Sequence, residues 1–177
     1  MQNNNIPQQT LEELKQYILT ENDIPAITDA LMTHAMQVMN SDFASIQLYD
    51  AKNGALILLG HKNFQPESAH FWQTVFEGSG TTCGESMKKR TRIMVSDVDQ
   101  VSYMAGTGDL HSFHFSGIRS CQSTPVVSTG GEFIGMISTH WRMPHDFEKD
   151  DFKFFDALTL IAADVLEEKR VAILVER

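Results

Sequence analysis

Gln122, Ser123 and Thr124 in one extended run, and Ser138, Thr139 and His140 in the next, crowd six hydrogen-bonding side chains into strand interiors. Strands beside a core normally carry Val, Ile and Leu there. Buried polar groups cost free energy unless they are paired. A polar strand face next to a core therefore points to a cavity that holds water or a ligand. An edge hairpin with one wet face is the alternative. The imidazole of His140 can donate to a ligand carbonyl or accept from a ligand hydroxyl, and Gln122 offers both a donor and an acceptor. Against these stand a purely structural His140 and a Gln122 that bridges adjacent strands. His111 and His114, three apart, share one side of a helix. They have no third metal ligand in sight, so a solvated lid face is expected of them, with Phe113 and Phe115 supplying the packing. The seven histidines include no H-E-x-x-H or C-x-x-C context, so no metal site is expected. Two cysteines, Cys83 and Cys121, are too few for a disulfide framework.

The elements that must position these residues are legible in outline. Gly117 to Trp141 reads as a hairpin, with Ser128-Thr129-Gly130-Gly131-Glu132 as its turn. An earlier hairpin runs through Phe43 to Tyr49, a turn at Asp50-Ala51-Lys52-Asn53-Gly54, and Ala55 to Gly60. Its first strand alternates Ala44, Ile46 and Leu48 with Ser45, Gln47 and Tyr49. By the same rule His140, Ser138 and Met136 share a face opposite Ile137, Thr139 and Trp141.

Helical signals surround the strands. Residues 1–9 read as a frayed polar lead, with Thr10 and Glu13 as a capping box for a short helix through Leu11, Leu14, Tyr17 and Ile18. Asp23 caps a second helix, with Pro25 in its first turn and an end near Asn40. Residues 64–77 are predicted helical. Thr82 to Lys89 is a short helix, Arg92 to Val95 a short strand, and Asp109 to Ser116 a further short helix. Asp146 is expected to cap one long helix from Phe147 to about Val175, with Phe154, Leu158, Ile161, Ala162, Val165 and Ala172 as its apolar stripe and Lys169 to Arg177 overhanging. Arg119 is placed to pair with Asp97 or Asp99 at the surface, worth ~0–1 kcal/mol. The expected fold class is α+β: a central antiparallel sheet, terminal helices on one face, and loops and short helices enclosing a pocket on the other.

Composition sets the outer limits. The 177 residues suffice for one ordinary domain, 42% are apolar, and the net charge of -9 argues against a nucleic-acid partner. No run approaches the ~18 apolar residues of a membrane span. The polar start does not read as a signal peptide, so a cytoplasmic location is expected.

Several stretches together resemble a GAF domain: A-S-I-Q-L-Y-D (44–50), C-G-E-S-M (83–87), M-V-S-D-V (94–98), G-I-R-S-C-Q-S-T-P-V-V (117–127) and G-M-I-S-T-H-W (135–141). The resemblance runs from about Asp23 to Arg170, with residues 1–22 as tail and helix and 171–177 as a helix end. It is strongest to the GAF domains that accompany bacterial sensor kinases. It implies a small-molecule sensing and dimerising module that signals through its terminal helices, here to a separate partner or by dimerising alone. The family pattern places Gln122 and Thr124, rather than Cys121, on the pocket face, giving the ligand-binding set Ser45, Gln47, Gln122, Thr124, Ser138 and His140. It names neither ligand nor cofactor. Some GAF proteins attach a bilin through a Cys before a His in the lid helix, where this chain has Leu110-His111. Free methionine-(R)-sulfoxide reductases are also GAF-like, and Cys83 resembles one of their cysteines. Cys121 lies inside a strand, four residues before Pro125, where it does not match their catalytic thiol. The resemblance therefore implies no enzyme and no catalytic residue. A ligand-free dimerisation scaffold is the alternative, and a reductase-like enzyme comes third.

Overall fold

A computed structural model describes residues 5–175. Its elements in chain order are α1 (Asn5–Thr20), α2 (Ile24–Met39), β1 (Phe43–Asp50), β2 (Ala55–Lys62), α3 (Pro66–Phe71), β3 (Thr74–Phe76), α4 (Thr82–Lys89), β4 (Ile93–Val95), α5 (Gly108–Ser116), β5 (Ser120–Val127), β6 (Phe133–Trp141) and α6 (Lys153–Val175). The six strands form one sheet in the order β3-β2-β1-β6-β5-β4, antiparallel throughout. The α+β expectation and both hairpins hold.

Strand alternation divides the sheet into two faces with different occupants. Ala44, Ile46 and Leu48 from β1 meet Val126 and Ile137 under the helices α1, α2 and α6. Leu31, Ala35, Phe155, Leu158 and Ala162 complete this larger core and are fully buried. Burying one such Leu or Phe side chain contributes about 1.5–3 kcal/mol, so the helical face carries much of the stability. The other face packs Phe43, Cys121 and Met136 against Phe64, Trp72, Met87 and Phe113 from the connecting segments.

Capping follows the sequence closely at α2. Asp23 accepts a hydrogen bond from the Ala26 N–H at 2.9 Å, and Asn40 closes the helix in the left-handed conformation. Three expectations need correction. First, α1 begins at Asn5 rather than at Thr10. Pro7 lies in the first turn, where a missing N–H costs nothing, so the polar lead extends the helix; residues 1–4 lie outside the described residues. Second, residues 64–77 are not one helix. Gln65-Pro66 starts a six-residue α3, and Thr74-Val75-Phe76 then pairs with β2 as an edge strand. Its β-branched and aromatic residues favour the pleated edge. Third, Asp146 caps nothing. Phe147 is held in an aromatic cluster, 5.3 Å from the Trp141 ring and 6.0 Å from that of Phe152. Residues 149–152 then form a 3-10 turn, and α6 starts at Lys153.

The stripe on α6 holds as expected except at Ala172, and Phe155 and Ile173 join it. Phe155, Leu158, Ala162, Val165 and Ile173 are buried, Phe154 and Ile161 are half-buried, and Ala172 is exposed. Packing of α1 against α6 covers much of what was expected to overhang. Among the described residues, the large apolar side chains exposed on these two helices are Tyr17 and Leu19 on α1 and Leu160, Val171 and Val175 on α6; residues 176–177 lie outside the described residues.

Close packing of the sheet centre has one clear point of failure. Gly135 pairs with Leu48, and a Cβ added there would lie 2.1 Å from the Gln47 carbonyl oxygen. Backbone cannot yield as a side chain does. Gly54, in a turn at φ +65°, has open space around it. Gly135→Ala is expected to lose at least ~2–3 kcal/mol in urea unfolding through overpacking. Gly54→Ala should lose about 1 kcal/mol, the cost of a left-handed backbone with a Cβ.

Candidate functional site

Register decides which polar side chains meet. Phe43 pairs with His140 and Ser45 with Ser138 across β1 and β6, while Cys121 pairs with His140 and Ser123 with Ser138 across β5 and β6. Ser45, Gln47, Ser138 and His140 therefore share the face under the connecting segments, as alternation predicts. Gln122 and Thr124 do not join them. They pair with Thr139 and Ile137 and lie on the helical face. There the Gln122 amide donates to Thr139 Oγ1 at 3.0 Å and accepts from Thr124 Oγ1 at 2.6 Å. Arg92 Nε donates to Thr124 Oγ1 at 2.7 Å, and its guanidinium pairs with Asp156 on α6. Gln122 is thus the bridge between strands. Cys121 and Ser123 occupy the parity proposed for Gln122 and Thr124.

Ser123 and Ser138 fasten α4 onto the sheet. Ser138 Oγ donates to Ser123 Oγ at 2.9 Å, Ser123 Oγ donates to Thr82 Oγ1 at 3.3 Å, and Cys83 Sγ lies 3.4 Å from both serine hydroxyls. Thr81 caps α4 by accepting from the Gly84 N–H at 2.9 Å. Burial pushes both the Cys83 and the Cys121 thiol above the usual range, Cys121 strongly. Neither is poised as a thiolate.

Beside this network the sheet and the connecting segments enclose a small cavity. Ser45, Gln47, Leu58, Phe64, Trp72, Thr81, Thr82, Cys83, Asp109, Phe113 and His140 line it. Its volume of about 10 Å³ is about the room one water needs. The aromatic walls are close to the imidazole: Phe64 stands edge-on at 5.1 Å, and Phe113 lies at 5.8 Å. Gln47 Nε2 donates to the Trp72 carbonyl at 3.4 Å, which fixes the amide with Oε1 turned away. Trp72 Nε1 in turn donates to Asp109 Oδ1 at 2.7 Å. Among the described residues, four buried side-chain N or O atoms have no partner, and three of them, Gln47 Oε1, Asp109 Oδ2 and His140 Nδ1, belong to this lining.

The lid is pinned at its far end. Asp99 accepts from His114 at 2.6 Å and pairs with Arg119, and Arg119 also donates to both Asp97 oxygens at 3.0 and 3.1 Å. The Arg119 guanidinium holds the Asp97 carboxyl below its usual range. The expected pairing thus forms with both acids. His114 serves this pin, and His111 stacks against Phe115, which is exposed rather than packed.

Asp109 and Trp72 were missed from sequence, as were Phe64 and Phe113 as cavity walls. Asp109 sits in the first turn of α5, where an acid reads as an ordinary complement to the helix dipole. A buried Trp N–H needs an acceptor, and that need was the available signal.

The chain matches the GAF domain family over residues 21–167. It belongs to the GAF domain family. In fold it is similar to the GAF domain of an Acinetobacter phosphoenolpyruvate-protein phosphotransferase, with a TM-score of 0.76 and 18% identity over 97% of this chain and 98% of that one. A domain of a Sinorhizobium meliloti 1021 protein described as a two-component sensor histidine kinase aligns at a TM-score of 0.69 and 18% identity, over 89% of this chain and 100% of that one. The free methionine-R-sulfoxide reductase of Neisseria meningitidis, solved with its substrate, aligns at 0.71 and 18%, over 94% and 92%. At these identities the likeness is one of fold. No curated protein matches the chain in sequence. GAF domains are commonly sensory and regulatory modules. Among the described helices, none is long and apolar enough to cross a membrane.

Burial gives the cavity a definite charge state. Desolvation raises the Asp109 carboxyl from 3.8 to about 7, against the opposing hydrogen bond from Trp72 to Oδ1 and the pull of the nearby Thr82 backbone. Desolvation lowers the His140 imidazole from 6.5 to about 3. Between about pH 4 and 6.5 the folded pair holds its proton on Asp109, and the unfolded pair holds it on the histidine. Both states bind one proton, so the two dependences cancel. Singly they have opposite signs. The raised Asp109 value makes stability fall as pH climbs from about 4 to about 7. The lowered His140 value makes it rise from about 3 to about 6.5. The stability difference between wild type and Asp109→Asn, from urea unfolding at stepped pH, should therefore decline by up to ~1.4 kcal/mol per pH unit across pH 4–7. A difference independent of pH would contradict the buried-carboxyl assignment.

Proposed function

We propose that this chain is a small-molecule-binding sensory GAF domain of the cytoplasm, not an enzyme, that signals through a dimer of its terminal helices. The observation that carries the reading is the convergence of Gln47 Oε1, Asp109 Oδ2 and His140 Nδ1, all buried and unpartnered, on one cavity between sheet and lid. An unpartnered buried polar atom costs about 1–3 kcal/mol. Three such atoms around one cavity are what a polar ligand would satisfy, and a merely structural face would pair them among themselves. The cavity has room for little more than a water, so a larger ligand requires the α3 and α5 segments to move. Of the six residues expected at the ligand, Ser45, Gln47, Ser138 and His140 remain on the proposed face; Asp109, Trp72, Phe64 and Phe113 join them.

The thiols speak against reductase chemistry, because burial holds both in the protonated form. Replacing Cys121 with Ser should leave a folded domain, and neither protein should reduce free methionine sulfoxide at enzymatic rates. Turnover by the wild type that Cys121→Ser stops would overturn the sensor reading.

The dimer rests on a groove of about 150 Å³ between α1 and α6, where Ile18, Leu19, Ile161 and Val165 alternate with Lys15, Glu21, Asn22, Asp164, Glu168 and Lys169, and on the exposed apolar side chains Leu19, Leu160, Val171 and Val175. Apolar patches of this kind mark interaction sites. Light scattering at about tens of micromolar should give the dimer mass, and a monomer at that concentration contradicts it.

Ligand binding is tested through His140. A thermal-shift screen of metabolites should find stabilising compounds for the wild type and none for His140→Leu. The ligand-free melting temperatures should stay close, because Leu removes an unpartnered nitrogen while filling the same space. A large loss of intrinsic stability with no stabilising metabolite would make the polar face structural and leave a dimerising scaffold.

A further inference from the structure

The three unpartnered atoms have a common chemical sense. Gln47 Oε1 can only accept a hydrogen bond, and one of the two Gln47 amide donors is committed to the Trp72 carbonyl. Asp109 Oδ2 accepts when the carboxyl is ionised. His140 Nδ1 accepts in the Nε2–H tautomer. A protonated primary amine has three N–H donors and no acceptor, one donor for each atom.

The surroundings agree. Among the described residues, no Lys or Arg lines the cavity, so nothing there would neutralise a carboxylate or phosphate, and Asp109 would repel one. Phe64, Trp72 and Phe113 form its walls, and aromatic faces attract cations, the more so when desolvated. A bound cation is also the one partner that lets Asp109 ionise in a dry site. The cavity of about 10 Å³ suits an ammonium head, with any tail leaving through the lid.

We propose that the ligand of this domain is a small protonated amine whose ammonium group is held by Asp109, Gln47 and His140 between aromatic walls. The inference rests on the small-molecule reading above and narrows it to a chemical class. The other groups near Asp109 do not supply the positive charge. Cys83 on α4, Cys121 on β5 and Tyr103 in the connecting 3-10 turn all lie within its electrostatic reach and stay protonated at neutral pH. His140 on β6 stays neutral. Binding an ammonium therefore requires Asp109 to lose its proton. Affinity should fall about tenfold for each pH unit below about 7, with up to one proton released per amine bound.

The test is a calorimetric titration of the full chain with methylammonium and n-butylammonium chloride, beside n-butanol, sodium butyrate and matched salt. The alkylammonium ions should bind, the affinity should drop about tenfold from pH 7 to 6, and Asp109→Asn should abolish binding. Because that variant could also disturb folding, the carboxyl carbon of Asp109 in the wild type is followed by NMR. The amine should move its titration midpoint to lower pH. Binding of butanol or butyrate as tight as that of butylammonium, and lost in His140→Leu, would overturn the amine assignment while leaving the pocket intact. No binding by any compound, with an Asp109 midpoint unmoved by amine, overturns it as well. A pocket with another ligand would then still show stabilisation in the metabolite screen, and a structural face would not.

Discussion

Desolvation of one carboxyl and one imidazole under the same lid is the constraint around which this domain is organised. Each alone would pull protons in a different direction. Together they keep the cavity uncharged from about pH 4 to 6.5, with the proton on Asp109 and none on His140. Above about pH 7 the carboxylate meets no cation among the described residues that line the cavity. A site left in that condition is destabilising unless something else occupies it, and that links the electrostatics to ligand binding. Proteins often carry such local costs at functional sites and offset them elsewhere.

The offset here lies across the sheet. The helical face buries the larger apolar cluster, with α2 and α6 laid over β1, β5 and β6. Its polar contacts, the Gln122–Thr139–Thr124 chain and the Arg92 guanidinium over the Phe152 ring at 3.8 Å, are satisfied among themselves. The face under the lid is smaller, rich in aromatics and incompletely satisfied. On the proposed reading, stability and recognition fall on opposite faces of the same strands. β6 is buried along its whole length and touches α4 as well as α2 and α6.

Much of the architecture was legible because its signals are local. The cap at Asp23, the helix end near Asn40, the Gly130-Gly131 hairpin and the alternation of β1 all depend on neighbours a few residues away. β5 failed because alternation carries no information where both parities are small and polar. Cys121, Gln122, Ser123 and Thr124 suit either face, and only pairing with β6 settles which. The two-residue-period rule then moved Gln122 and Thr124 to the helical side together. Asp109 and Trp72 were out of reach for another reason. Their hydrogen bond joins residues 37 apart in the chain, and it exists because α3, read as part of a longer helix, stops at Phe71. Once that helix is broken, Trp72 turns inward and needs an acceptor. The third misreading, at α6, came from counting Phe147 into the helical period when its ring belongs to the Trp141 cluster.

Native mass spectrometry of the protein as purified from cells addresses the central claim directly, that the polar cavity under the lid is a ligand site. The account predicts a species heavier than the bare chain by the mass of one small cation per protomer, released on acidification below about pH 6 and missing from His140→Leu. The bare chain mass alone, in wild type and variant alike, together with a lid that takes up no compound at neutral pH, would contradict it.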